Sequence, residues 1–212
     1  AYLYLGIMYM KGYGVEKDYK KAYENLDLAT YLKNPTAYFL LAVLNDGNYG
    51  IEQDYRKVRD YFELAAKNNV PEALYFMGYY HSTDEVFDTD INKAIDFYER
   101  CTKADSCTLH LDDPHNGVSV TFYHYNAYKN ISYNDLGLIY LLVLGDQKKA
   151  QENIKEAAFA EYPFAQNNFG LINQLYLNKP ERAEQMYESA TKNNFAMAEF
   201  NLGQIREKEG KI

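Results

Sequence analysis

The stretch Gly14-Val15-Glu16-Lys17-Asp18-Tyr19 is written again, slightly altered, as Gly50-Ile51-Glu52-Gln53-Asp54-Tyr55. The offset from Gly14 to Gly50 is 36 residues, and Asp90-Ile91 keeps the register once more. A fixed period of this size marks a solenoid, in which each unit is too small to bury its own apolar face and must stack on its neighbours. It also shifts the search for function from a pocket to a long surface.

Counting units from Ala1, Ala37, Ala73, Ser132, Ala165 and Ala198, position five holds Leu5, Leu41, Met77, Leu136, Phe169 and Leu202. Position six holds Gly6, Ala42, Gly78, Gly137, Gly170 and Gly203. Position nine holds Tyr9, Asn45, His81, Tyr140 and Asn173. Positions one, five, eight and nine fall on one face of a helix, helix A, and the small residue at six predicts a close approach of the neighbouring helix. Paired glycines (Gly12 and Gly14; Gly47 and Gly50) end helix A in the first two units by permitting positive φ. Asp18, Asp54 and Asp90 then stand where a side-chain oxygen caps a new helix, helix B. The buried stripe predicted for helix B is Ala22, Leu26 and Ala29, then Val58, Phe62 and Ala65, then Ala94, Tyr98 and Cys101. Later copies are Ala150, Ile154 and Ala157, then Ala183, Tyr187 and Ala190. The first two units are 36 residues long (Ala1 to Ala37 to Ala73) and the fourth and fifth are 33 (Ser132 to Ala165 to Ala198).

These spacings predict an all-α fold, a right-handed superhelix of helix-turn-helix repeats. Repeats one to three occupy 1–103, an insertion occupies 104–131, and repeats four, five and a partial sixth occupy 132–212. The whole is expected as one continuous solenoid within a longer chain. The pattern Ala-x-x-x-Leu-Gly-x-x-Tyr-x-x-Gly-x-Gly-Val-x-x-Asp-x-x-Lys-Ala, complete from Ala1 to Ala22, resembles the consensus of the Sel-one-like repeat, a relative of the tetratricopeptide repeat. Residues 37–58 fit it with Ala42 for glycine, Asn45 for tyrosine and Val58 for alanine; the third unit lacks the Gly-x-Gly turn. The last three units are similar in helix A and in the Ala-rich helix B alone, and equally resemble tetratricopeptide repeats.

That resemblance implies a non-catalytic adaptor or scaffold holding another protein or an extended peptide. By analogy with tetratricopeptide stacks, helix A lines a concave groove, with positions three, seven and ten facing the partner. Position three offers Leu3, Phe39, Tyr75, Asn134 and Asn167; position seven offers Val43, Tyr79, Leu138 and Leu171; position ten offers Gln174. Tyr75 and Tyr79, one turn apart, are suited to flank an apolar side chain, and Asn134 and Asn167 to hydrogen-bond an extended backbone. The alternative, that these side chains belong to the core, stays open, as does a second role as the regulatory or docking segment of a larger enzyme.

The insertion is the other candidate partner site, through His110, His115, Tyr123 and Tyr125. Asn116-Gly117 before the strand-like run from Val118 to Tyr125 hints at a hairpin. His110, His115 and His124 with Asp112 and Asp113 fit no standard metal-ligand spacing, so solvated loop histidines are expected and no metal or other cofactor. Catalysis finds no support in motifs: there is no phosphate-binding glycine loop, no His-Glu-x-x-His and no Gly-x-Ser-x-Gly. A net charge of −8 and a pI near 5.1 argue against nucleic acid as a partner, which needs a basic stripe. No apolar run approaches the ~20 residues of a membrane helix. The 23 tyrosines and 11 phenylalanines, with no tryptophan, suit packed helix pairs and contact surfaces. Cys101 and Cys107 are too few for a disulfide framework, so free thiols in the cytoplasm are expected, with the lumen of the endoplasmic reticulum as the alternative.

Overall fold

The structure, a computed structural model, describes residues 1–47, 49–104, 110–113, 118–121, 125–208 and 210. For 110–113, 118–121, 125 and 126 it describes the backbone alone. The chain forms two compact units, 1–125 and 126–212, each described by itself. In the first, α1 (Tyr2–Lys11) and α2 (Tyr19–Tyr31), α3 (Pro35–Asp46) and α4 (Tyr55–Lys67), and α5 (Pro71–Ser82) and α6 (Ile91–Lys103) are three hairpins of helix A followed by helix B. A two-stranded antiparallel hairpin follows, β1 (His110–Asp113) and β2 (Val118–Thr121), in the register His110↔Thr121 to Asp113↔Val118. The second unit holds α7 (Tyr125–Leu138, counted here for its larger part), a π-helical continuation Ile139–Val143, α8 (Gln147–Phe159), α9 (Pro163–Leu175), α10 (Pro180–Lys192) and α11 (Ala196–Lys208).

All fifteen residues of the predicted helix B stripe are exposed by 2 % or less. Apolar burial of this kind contributes ~25 cal/mol per Å², which holds each hairpin onto the next. The predicted close approach at position six is equally plain. A Cβ built on Gly6 falls 2.6 Å from Leu26, on Gly78 2.7 Å from the Tyr98 ring, and on Gly137 2.2 Å from Ile154. In each case the blocking side chain is the middle residue of the same hairpin's helix B stripe.

Two backbone devices fix the hairpins. At the turn from A to B, the position-nine carbonyl accepts from the N-cap amide of helix B: Asp18 N–H to Tyr9 at 3.0 Å, Asp54 to Asn45 at 3.3 Å, Asp90 to His81 at 2.8 Å, Asp146 to Tyr140 at 2.7 Å and Lys179 to Asn173 at 2.8 Å. At the turn from B to A, a residue with positive φ stands four places before position one: Lys33, Asn69, Glu161 and Asn194. The next amide reaches back to the last alanine of the stripe or its equivalent, as Val70 to Ala65 at 3.2 Å and Tyr162 to Ala157 at 3.1 Å. This six-to-one bond closes helix B and aims the chain into the next unit.

The predicted caps form. The carboxylates of Asp18, Asp54 and Asp90 accept from Lys21 N (2.9 Å), Arg56 N (3.0 Å) and Lys93 N (3.1 Å), and Asp146 does the same for Lys149 N at 3.0 Å. The bonds from Lys21 N–H and Lys93 N–H hold the carboxyls of Asp18 and Asp90 below their ordinary 3.8. The unfolded chain therefore binds these protons more tightly. The stabilisation is complete above 3.8 and is lost as pH falls through the lowered folded values. Asp18→Asn with Asp90→Asn keeps a capping oxygen, so the pair should flatten the acid limb of unfolding below pH 3.8 and leave neutral stability nearly unchanged. An acid limb identical to the parent's in circular dichroism would contradict this.

Three expectations change. In the second unit, helix A ends at Gly47 with an extended φ of −101°, and it is Gly50 that takes positive φ (74°). Leu5 is 39 % exposed, whereas Leu41, Met77, Leu136 and Phe169 are exposed by 2 % or less. Position five belongs to the core shared with the preceding hairpin where one is described, as Leu41 shares a core with Leu26 and Ala29. The stretch 125–131, assigned to the insertion, is helix, so Tyr125 opens α7 rather than ending a strand.

Candidate partner-binding face

Helix A carries the candidate surface, and position three occupies a different place on it from the one expected. Leu3 is buried (7 % exposed) in the core formed with Ile7, Leu26 and Leu41, where Leu40 of the next helix A packs against it. Position three meets position four of the following unit directly at three places. Phe39 meets Phe76 with ring centroids 6.1 Å apart. Asn168 Nδ2 donates to Asn134 Oδ1 at 2.9 Å, and Asn201 Nδ2 donates to Asn167 Oδ1 at 2.8 Å. Position three is thus the seam between successive A helices, apolar in the first unit of the fold and a ladder of carboxamides in the second. Asn134 and Asn167 are buried, and their acceptor oxygens serve this ladder; Asn134 also donates to Asp135 at 3.1 Å. A buried carboxamide whose bonds are made has little left for a partner's backbone.

Tyr75 is half-buried, edge-on to Phe76 at 5.4 Å and 5.9 Å from Tyr98. Tyr79 is also half-buried, and its hydroxyl donates to Glu85 Oε1 at 2.9 Å. That bond, with partial burial, raises the phenol's pKa above its ordinary value. Beneath it Tyr80 donates to Asp46 Oδ2 at 2.7 Å, a second tie between neighbouring A helices. Val43, Leu138 and Leu171 are half-buried, and Gln174 Oε1 accepts from Tyr187 at 2.7 Å.

On the A helices the most open apolar residues lie one turn beyond position seven, at position eleven; Tyr31 (77 %) and Leu32 (72 %), at the end of α2, are as open. Leu142 is 72 % exposed and Leu175, its register mate in the next repeat, 67 %; Val143 (57 %) and Tyr176 (46 %) follow them. Sequence reading missed these because it took positions three, seven and ten alone as the partner-facing ones. The signal was present: Leu138 to Leu142 and Leu171 to Leu175 are both four apart, the spacing of one helical face. The π-helical stretch Ile139–Val143 carries Leu142, a local form found mostly as single turns and frequently at functional sites.

Of the insertion candidates, His110 lies in β1 and Tyr125 opens α7, both described by backbone alone; His115 and Tyr123 lie outside the described residues, as does Cys107. Cys101 is buried, and its thiol donates to the Pro71 carbonyl at 3.2 Å. Among the described residues no helix is long and apolar enough to cross a membrane. The histidine and aspartate set of the insertion lies outside the described side chains.

Residues 1–34, 35–70 and 71–104 each match the model of the Sel1 repeat, with boundaries at the prolines that open α3 and α5. Residues 1–104, just under half of the chain, are thus three Sel1 repeats. It is similar to a Sel1 repeat protein from Oxalobacter formigenes, with 25 % identity, a TM-score of 0.75, and coverage of 96 % of this chain and 76 % of that one. It also shares its fold with PilW, a widely conserved type IV pilus biogenesis factor (17 % identity, TM-score 0.56, 99 % and 84 % coverage). A third likeness is to a protective antigen present in uropathogenic Escherichia coli strains (19 % identity, TM-score 0.53), of which this chain spans 48 %. No match is found among curated proteins. Sel1-repeat proteins mediate protein–protein interaction and are typically non-catalytic.

Proposed function

We propose that this chain is a non-catalytic adaptor that binds an extended segment of another protein along the outer face of its A helices. The observation that carries the reading is the recurrence of open apolar side chains at one register position, Leu142 and Leu175, above the half-buried Leu138 and Leu171. Exposed leucines repeated at the spacing of the repeat form a strip rather than scattered single residues, and a strip is what an extended partner with periodic apolar side chains engages. In the first unit Val43 and Tyr79 hold the corresponding position seven, with Tyr79 bringing a ring suited to a contact hot spot. The seam residues Leu3, Phe39, Asn134 and Asn167 hold the helices in register beneath this face.

The test is affinity capture from native extract with Leu142→Asp/Leu175→Asp and, separately, Tyr79→Ala. Both leucines are exposed, so the double variant should melt within a few degrees of the parent while losing the captured partner, since surface substitutions are usually within ±0.5 kcal/mol. Undiminished capture by both variants would remove the A-helix face as the binding surface.

A further inference from the structure

A cavity of about 400 Å³ opens in the first unit, bounded by α4, α5, α6 and the turn 83–90. Its volume falls within the range of small-ligand sites. The floor is Met77, His81, Phe87 and Phe97, of which the first three are buried. The rim is Arg59, Glu63, Asp88 and Lys93, all exposed. The imidazole of His81 lies parallel to the Phe97 ring (interplanar 4°, centroids 5.6 Å) and 4.5 Å from Phe87. Arg59 fastens the turn over this floor, donating to the Val86 carbonyl at 3.2 Å with its guanidinium 4.8 Å from the Phe87 ring centre.

His81 is 6 % exposed and its Nδ1 has no hydrogen-bond partner. The Asp88 backbone engages the imidazole, and burial lowers its pKa, so at neutral pH the ring is uncharged and Nδ1 is a lone-pair acceptor. At position nine of the other units the side chain is engaged within its own hairpin, although Asn173 Oδ1 is, like His81 Nδ1, a buried acceptor with no partner. Asn45 and Asn173 donate to Leu41 and Phe169 carbonyls at 2.7 Å, and Lys21 and Lys149 sit over the rings of Tyr9 and Tyr140. An unserved buried acceptor costs ~1–3 kcal/mol, a cost that an incoming donor relieves.

We propose that this cavity binds a phenol group, its ring on the Met77–His81–Phe87–Phe97 floor and its hydroxyl among the rim charges and the His81 acceptor. The rim selects the head group. Two cations and two anions surround the mouth, so a carboxylate meets Glu63 and Asp88 and an ammonium meets Arg59 and Lys93. A neutral hydroxyl donates to one sign and accepts from the other. The floor selects a flat ring, since aromatic pairs at offset or tilted geometry add ~0.5–1.5 kcal/mol to area burial. The same chemistry is available from a free phenol and from the tyrosine side chain of a partner protein.

The experiment is a titration of the 15N-labelled full chain with p-cresol and with toluene, reading the His81 ring nitrogens by long-range 1H–15N correlation. The expected result is a shift of the His81 Nδ1 resonance and about tenfold tighter binding of p-cresol than of toluene, the scale of one good hydrogen bond. N-acetyl-tyrosinamide against N-acetyl-phenylalaninamide separates the sources: binding of the tyrosine amide as tight as p-cresol admits a chain-borne ring, and binding of p-cresol alone assigns the site to free phenols. His81→Phe keeps the stack on Phe97 and should bring p-cresol to within about twofold of toluene. Glu63→Ala, an exposed rim change that leaves the core untouched, should weaken p-cresol roughly threefold or more. No His81 shift at millimolar p-cresol, or equal binding of p-cresol and toluene, would overturn the proposal.

Discussion

Gly170→Leu should destabilise the chain by ~3 kcal/mol or more, the upper end of the range for overpacked cores. Gly170 sits at position six of α9, and its missing Cβ would lie 2.5 Å from Tyr187 Cε1, 2.7 Å from Cδ1 and 3.0 Å from Cζ. Tyr187 cannot swing aside easily. It is completely buried, and its hydroxyl is tied to Gln174 Oε1 at 2.7 Å. A side chain at 170 must therefore push α9 off α10, and with it lose the burial of Ala183 and Phe169. The same register position supplies its own control. Gly203 has nothing within 4 Å of its missing Cβ. There Gly→Ala removes only the conformational freedom of a helical glycine, so Gly203→Ala should raise stability by ~0.5–1 kcal/mol. Urea unfolding reads both. Equal effects at 170 and 203 would show that helix propensity, not close approach, sets the preference for glycine at position six.

Phe62→Ala should cost ~3–5 kcal/mol. Phe62 is 1 % exposed on α4 and is the hub of an aromatic cluster: Phe76 stacks on it at 5.3 Å, Tyr80 lies at 5.7 Å and Phe39 at 6.1 Å. These rings come from α3, α4 and α5, so a cavity at 62 weakens both the hairpin of the second repeat and its seam with the third. Phe62→Leu, which keeps most of the volume, should cost ~1–2 kcal/mol, because volume-conserving swaps are tolerated best. A loss below ~1 kcal/mol for the alanine variant in urea unfolding would mean that the cluster is not what joins these repeats.

The parts of the fold that sequence reading recovered are those fixed by local rules. The helix B stripes follow from 3.6-residue spacing of Ala, Leu, Ile, Phe and Tyr, and all of them are buried. The aspartate caps follow from side-chain chemistry, and the glycines of position six from steric need. What a single sequence does not encode so directly is the angle at which one helix A leans on the next. That lean turned position three inward, so Leu3, Asn134 and Asn167 became seam residues, and it left Leu142 and Leu175 outermost. Pairing across 34 residues, as Asn134 with Asn168 and Asn167 with Asn201, was legible only as polar residues in consecutive columns of the register. His81 resembled a position-nine residue like any other, and nothing local marked its Nδ1 as unserved.

The central claim, that the outer face of the A helices is the binding surface, is tested most directly by placing a photo-crosslinking p-benzoyl-phenylalanine at single sites of the native chain. Position 175 lies on the proposed face, and Gln185 is exposed on α10. The account predicts that irradiation in native extract joins a defined protein to the chain labelled at 175, and that the same protein is absent or far weaker from the chain labelled at 185. Adducts from 185 with none from 175 would contradict it and move the surface to the B helices.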